Sequence, residues 1–159
     1  MKKQEKIFFE NICKYCIKNY TISNSSPIIS SLIHEICNFL DIDSIAVRGV
    51  ITININENLS RSFAHCFNLC NGVIVDSTIY EYALINNNLK HLIPLYVVEN
   101  IPYNIDYIVQ DELPKNQQFK FSKKFLKDTL DKIQSTDNIY LNRFNLIEDS
   151  KKQNLFFCR

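Results

Sequence analysis

Two segments near the N-terminus place apolar residues at helical spacing. Between Lys3 and Tyr20, apolar side chains recur every three or four residues, which predicts an amphipathic helix. A second helix is predicted to run to about Leu40, with Ser26 as its N-cap and Pro27 at its first position. Few polar residues interrupt this second segment, so we expect it to be a central, buried helix.

The apolar period changes to two after Ser44. Apolar and more polar residues alternate from there to position 56, which predicts a long β-strand. Two further apolar runs, Ser62–Cys70 and Val73–Thr78, flank Asn71-Gly72. This dipeptide favours a type I′ turn, so the two runs are predicted to form a β-hairpin.

The elements predicted farther along the chain are shorter. Leu92–Val98 favours an edge strand because it contains a proline, and Tyr103–Val109 favours another strand. Ser122 is predicted to cap a further helix, while Asn138–Arg159 is ambiguous. The order of elements predicts one α+β domain over residues 1–159, in which a buried helix packs on an antiparallel sheet.

Composition excludes several classes of partner. Eighteen basic and 17 acidic residues give a net charge of +1, which argues against a surface for nucleic acid or anionic lipid. No apolar run is long enough to span a membrane, and the first residues do not resemble a signal peptide. We therefore expect a protein of a reducing cytosol, either that of its own cell or one into which it is delivered.

The six cysteines raise the question of a metal site. Cys13-x-x-Cys16 and His34-x-x-Cys37 have the spacing of zinc ligands, so a zinc-stabilised interaction domain is one hypothesis. Both pairs lie within helical apolar patterns rather than in turns, which favours small buried side chains instead. We expect no metal and no other cofactor.

The predicted hairpin brings a histidine and an aspartate onto one face of the sheet. With a two-residue turn at 71–72, His65 and Asp76 become diagonal neighbours, and their Cβ atoms lie roughly 7 Å apart. An aspartate in an apolar strand needs a partner, and an imidazole N–H is suitable. The pair would supply the base and the orienting carboxylate of a nucleophilic triad. Taken separately, each residue also fits a purely structural role.

Residues 63–68 and 71–78 resemble the transglutaminase-like cysteine peptidase superfamily. Its members have a histidine followed by a small residue and an aromatic residue, and then Asp-Pro-Thr after a strand turn. Here Cys66 and Phe67 follow the histidine, and Asp76-Ser77-Thr78 stands in place of Asp-Pro-Thr. The resemblance extends over residues 19–78, leaves 95–159 as an unassigned extension, and implies a papain-like or transglutaminase-like core.

The resemblance also implies positions for the rest of a site. The family's nucleophilic cysteine begins the central helix, and that position is Ser26 here. Ser26 is an engineered replacement of a cysteine, the natural residue of a serine-using or inactive relative, or only an N-cap. Asn24 or Asn19 would help to stabilise an oxyanion, and Tyr80 and Tyr82 would line a substrate groove.

The implied activity is acyl transfer by a thiol-type triad of Ser26, His65 and Asp76. The substrate would be an amide of a protein or peptide, as in a peptidase, a glutamine deamidase or a transglutaminase. By analogy, the protein would be a bacterial effector or a phage protein. The alternative is a non-enzymatic interaction module with the same fold.

Overall fold

The computed structural model describes residues 1–20, 24–85, 89 and 96–133. Within these ranges the chain forms four helices and five strands, which confirms the α+β class. In chain order they are α1 (Lys3–Tyr20), α2 (Ser26–Phe39), β1 (Ser44–Asn56), β2 (Leu59–Cys70), β3 (Val73–Val75), α3 (Tyr80–Ile85), β4 (Val97–Val98), β5 (Ile105–Glu112) and α4 (Lys123–Lys132).

The strands form one antiparallel sheet in the order β4-β3-β2-β1-β5. The predicted hairpin between β2 and β3 is confirmed, since Cys70 pairs with Val73 across the turn. Asn71 and Gly72 both have positive φ values, 49° and 75°, as a type I′ turn requires. The turn therefore fixes which residues of β2 and β3 lie side by side.

Apolar clusters lie on both faces of the sheet. The larger one joins α1, α2 and α4 to the sheet, and its centre is formed by Phe9, Ile12, Leu32, Ile33 and Ile36. A second cluster packs α3 against the sheet through Ile51, Ile53, Ile79, Tyr82 and Ile105. The sheet is thus covered by helices on both sides, with α2 against β1 and β2.

The predicted N-cap of α2 is wrong by one residue. Ser25 is the N-cap and Ser26 is the first helical residue. The cause is a partner distant in sequence, because the Glu81 carboxylate accepts hydrogen bonds from the backbone N–H groups of Asn24 and Ser25. The Ser25 hydroxyl donates to the same carboxylate, so the Ser26 side chain is not used as a cap.

The strand predicted to reach Thr78 ends at Val75. The Asp76 N–H donates to Tyr96 O, and the Asp76 side chain then accepts the Thr78 N–H, so the chain turns away from β2. The following helix, α3, has no counterpart among the sequence predictions. Ser122 caps α4 as predicted, by accepting a hydrogen bond from the backbone N–H three residues on.

The region predicted as an unassigned extension contributes to this same fold. β5 completes one edge of the sheet, and Leu126 and Leu130 of α4 lie in the larger core cluster. β4 lies at the opposite edge, as predicted for the strand at Leu92–Val98, although residues 92–95 lie outside the described residues. The ambiguous segment Asn138–Arg159 also lies outside them.

Candidate active site

A buried histidine–carboxylate pair lies where β3 ends. His65 Nε2 is 3.0 Å and 2.9 Å from the two carboxylate oxygens of Asp76. The two side chains are only 2% and 0% exposed. The contact predicted from the hairpin register is therefore present, although the β2–β3 ladder itself stops one residue before Asp76.

The Asp76 carboxylate is held by four further hydrogen bonds. It accepts the backbone N–H groups of Thr78 and Ile79, the Thr78 hydroxyl and the Tyr107 hydroxyl, at 3.0 to 3.1 Å. Burial by itself raises the pKa of Asp76, but the His65 charge and the hydrogen bonds from His65, Tyr107 and the Ile79 N–H outweigh it and hold the pKa below the ordinary value. Asp76 is thus an ionised acceptor that fixes the imidazole.

The second imidazole nitrogen contacts a phenol. Tyr82 OH lies 3.0 Å from His65 Nδ1, and the Tyr82 ring stacks on Phe63 at 4.1 Å between centroids. Burial raises the pKa of Tyr82, so its hydroxyl keeps its proton and donates it. Because Asp76 can only accept, His65 has a proton on Nε2, and in the neutral imidazole Nδ1 is the basic nitrogen that accepts from Tyr82.

Ser26 is the first residue of α2 and lies against β2. Its Oγ accepts a hydrogen bond from the backbone N–H of Cys66 at 3.3 Å. Ser26, His65 and Cys66 together line a surface depression of about 400 Å³, which we call the Ser26 depression. Its other lining residues are Asn24, Pro27, Arg48, Gly49, Ala64 and Gln110.

Of the remaining predicted site residues, Asn24 lines this depression, whereas Asn19, Tyr80 and Tyr82 do not. Asn24 lines the depression, although its backbone N–H is bound to Glu81. Asn19 does not line it, because its amide donates to Tyr15 O within α1 at 2.8 Å. Tyr80 lines a separate narrow pocket between α1, α3 and the start of α2. Tyr82 contacts the His65 ring and does not line the depression.

Several residues of the site were missed by sequence analysis. Cys66 is a native thiol in the depression, and burial raises its pKa although the Ser26 hydroxyl and the Arg48 charge act in the opposite direction. Arg48 could have been found, because it pairs with Cys66 in the β1–β2 register. Gln110 and Tyr107 carried no local signal, since both reach the site through the pairing of β5 with β1.

The part of the chain that the structure describes holds no group of three or more potential metal ligands. Cys13, Cys16 and Cys37 are instead free thiols in the larger core cluster. In the same ranges, no helix has the length and apolar character needed to cross a membrane.

Comparison of the chain with models of known protein families, with curated proteins and with solved structures gave no match.

Proposed function

We propose that this chain has a transglutaminase-like, papain-related core and catalyses acyl transfer from an amide of a protein or peptide. Ser26 occupies the position of the nucleophile, His65 is the general base, and Asp76 orients the imidazole. Attack by water on the acyl intermediate would make the protein a peptidase or a glutamine deamidase. Attack by an amine would make it a transglutaminase.

The observation that carries this proposal is the buried His65–Asp76 pair, because His65 directly precedes Cys66, whose backbone N–H binds Ser26 Oγ. A buried carboxylate with its histidine is the base half of a nucleophilic triad. The first turn of a helix offers backbone N–H groups without intrahelical acceptors, which favour negative charge on a nucleophile or an oxyanion. Ser26, as the first residue of α2, is at such a position.

The proposed reaction moves one proton back and forth through Nδ1. The Ser26 hydroxyl proton passes to His65 Nδ1 while Oγ bonds to the amide carbon. The carbon–nitrogen bond of the amide then breaks, and Nδ1 returns the proton to the leaving nitrogen. Water or an amine repeats the sequence on the resulting ester, and Ser26 recovers its proton.

The His65 ring packs against Tyr82 on the face of the sheet opposite α2, so before this reaction begins the ring must move toward Ser26 and two hydrogen bonds must break. His65 Nδ1 accepts from Tyr82, and Ser26 Oγ accepts from the Cys66 N–H. A serine hydroxyl also stays protonated at neutral pH, whereas a cysteine at a helix N-terminus ionises readily. We therefore expect the wild-type chain to have low activity and a thiol at position 26 to be reactive.

The test is alkylation of the Ser26→Cys variant by iodoacetamide, which carries an amide next to its reactive carbon. At pH 6.5 an ordinary thiol is mostly protonated. A thiol at position 26 should react about tenfold faster than such a thiol, because the base and the helix N-terminus favour its thiolate. The modified residue is identified by peptide mass spectrometry, which separates it from the native Cys66.

The matched control is Ser60→Cys, which places an exposed thiol on the same strand as His65 but away from the depression. Circular dichroism and thermal melting show that both variants are folded. A folded Ser26→Cys variant that reacts no faster than Ser60→Cys would contradict the proposed activity.

The second candidate is an interaction module that has lost the reaction. It is favoured by one observation, namely that both nitrogens of His65 and the Ser26 hydroxyl already have hydrogen-bond partners within the protein. The same alkylation experiment separates the two candidates when His65→Gln is added to Ser26→Cys, since an interaction module keeps the helix N-terminus but has no base whose loss would slow the reaction.

A further inference from the structure

The Ser26 depression is bounded on one side by a β-bulge. In the ladder between β1 and β5, Arg48 pairs with Asp111, but the next residue, Gly49, pairs with Val109. Gln110 is therefore an extra residue with no partner on β1. Bulges of this kind redirect a side chain and are frequent beside active sites. Gln110 is exposed and lines the depression.

The bulge is fixed by its neighbours on both sides. A Cβ atom on Gly49 would lie 1.9 Å from the carbonyl oxygen of Ile108, so a glycine is needed for β5 to approach β1 this closely. On the other side, the Arg48 guanidinium binds both carboxylate oxygens of Asp111, with Nη2 at 2.7 Å from Oδ2. The position of Gln110 is thus set by the backbone rather than by a flexible loop.

The polar lining of the depression suits a neutral ligand. The positive charge of Arg48 is matched by Asp111, which leaves the amides of Asn24 and Gln110 and the hydroxyl of Ser26. Within the described ranges, the Gln110 side-chain amide has no hydrogen-bond partner. A carboxamide donates through its NH₂ group and accepts through its oxygen, so it is complementary to another amide.

We propose that Gln110 is a specificity-determining residue that binds the amide of the substrate beside Ser26. Its NH₂ group donates to the carbonyl oxygen of that amide, and its oxygen accepts the amide N–H. The pairing selects a neutral amide over a carboxylate. This inference rests on the proposed function only in that Ser26 is the group with which the bound amide would react.

The test is an NMR titration of ¹⁵N-labelled wild-type protein with N-acetyl-glutamine N-methylamide. The Gln110→Ala variant assigns the side-chain signal of Gln110. We expect the ligand to shift this signal and Gln110→Ala to raise the Kd by at least about fivefold. N-acetyl-glutamate N-methylamide, which differs only at the end of its side chain, should bind at least about fivefold more weakly to the wild type.

Gln117→Ala is the matched control, because Gln117 is an exposed glutamine that does not line the depression. Its Kd should equal that of the wild type. N-acetyl-alanine N-methylamide keeps the peptide amides but lacks the side-chain amide, so it should bind as weakly as the glutamate compound. The inference is overturned if the Gln110 signal does not move, if Gln110→Ala binds as tightly, or if the glutamate compound binds equally well.

This failure can be distinguished from failure of the proposed function. If Ser26→Cys shows no accelerated alkylation but Gln110 responds as expected, the depression binds amides without reacting with them. If Ser26→Cys is alkylated rapidly but the Gln110 signal does not move, the activity stands and another residue selects the substrate.

Discussion

Each end of α2 lies next to a cluster of a serine and a histidine. At the N-terminal end, Ser26 shares a depression with His65. At the C-terminal end, His34 Nδ1 is 3.0 Å from the hydroxyl of Ser44, and His34 Nε2 is 3.0 Å from Asn38 Nδ2. Both histidines thus have partners on both ring nitrogens. By distances alone, the second cluster looks closer to a catalytic arrangement than the first.

The hydrogen-bond partners place the proton on opposite nitrogens of the two histidines. The amide nitrogen of Asn38 can only donate, so Nε2 of His34 accepts and Nδ1 carries the proton toward Ser44. His65 has the opposite arrangement, because the Asp76 carboxylate takes the Nε2 proton and leaves Nδ1 basic. A histidine beside a serine is therefore a base only where the other nitrogen faces an acceptor, and in this comparison that condition holds for His65.

The largest expected difference between the two clusters is in stability. Asp76→Asn places an amide N–H among the donors that surround the carboxylate, so we expect the free energy of unfolding to fall by about 3 kcal/mol. Asn38→Ala, at the exposed cluster, should cost less than about 1 kcal/mol. Urea unfolding monitored by circular dichroism measures both values, and equal losses would contradict the contrast.

The pH dependence of the stability lost in Asp76→Asn tests whether the ionised carboxylate is its cause. The pKa of Asp76 is below its ordinary value in the folded protein, so its ionisation stabilises the fold at any pH above the ordinary pKa. That contribution is lost as the pH falls through the folded-state value. The difference between wild type and Asp76→Asn should therefore be constant from pH 7 to about 5 and shrink below about 4.

The next effect is on the reactivity of a thiol at position 26. In the Ser26→Cys background, His65→Gln should lower the rate of iodoacetamide alkylation at pH 6.5 by about tenfold, because the basic nitrogen is removed. His34→Gln in the same background should leave the rate unchanged. A loss of rate caused by the His34 variant would show that the two clusters are not functionally distinct.

The smallest expected effect concerns Tyr82, whose hydroxyl donates a hydrogen bond to the basic nitrogen of His65. Tyr82→Phe removes the donor to His65 Nδ1, so alkylation of the Ser26→Cys variant should become about threefold faster. Tyr107→Phe is the matched control, since Tyr107 OH donates to Asp76 rather than to the imidazole. Its rate should not rise. A slower reaction in Tyr82→Phe would instead indicate that the phenol assists the base.

The features that sequence predicted depend on neighbours in the chain. The helical period of apolar residues predicted α1, and the Asn71-Gly72 turn predicted the strand register that brings His65 to Asp76. The missed features depend on residues distant in sequence. Ser25 replaces Ser26 as N-cap because Glu81 binds it, and Gln110 reaches the depression only through the bulge between β1 and β5. No pattern within a single segment contains these contacts.

The short helix α3 couples two of the interactions described above. Glu81 places a negative charge at the start of α2, and the next residue, Tyr82, occupies the basic nitrogen of His65. Each contact opposes an anion at position 26, the first by repulsion and the second by occupying the base. Because both contacts come from α3, a displacement of this helix would remove both at once.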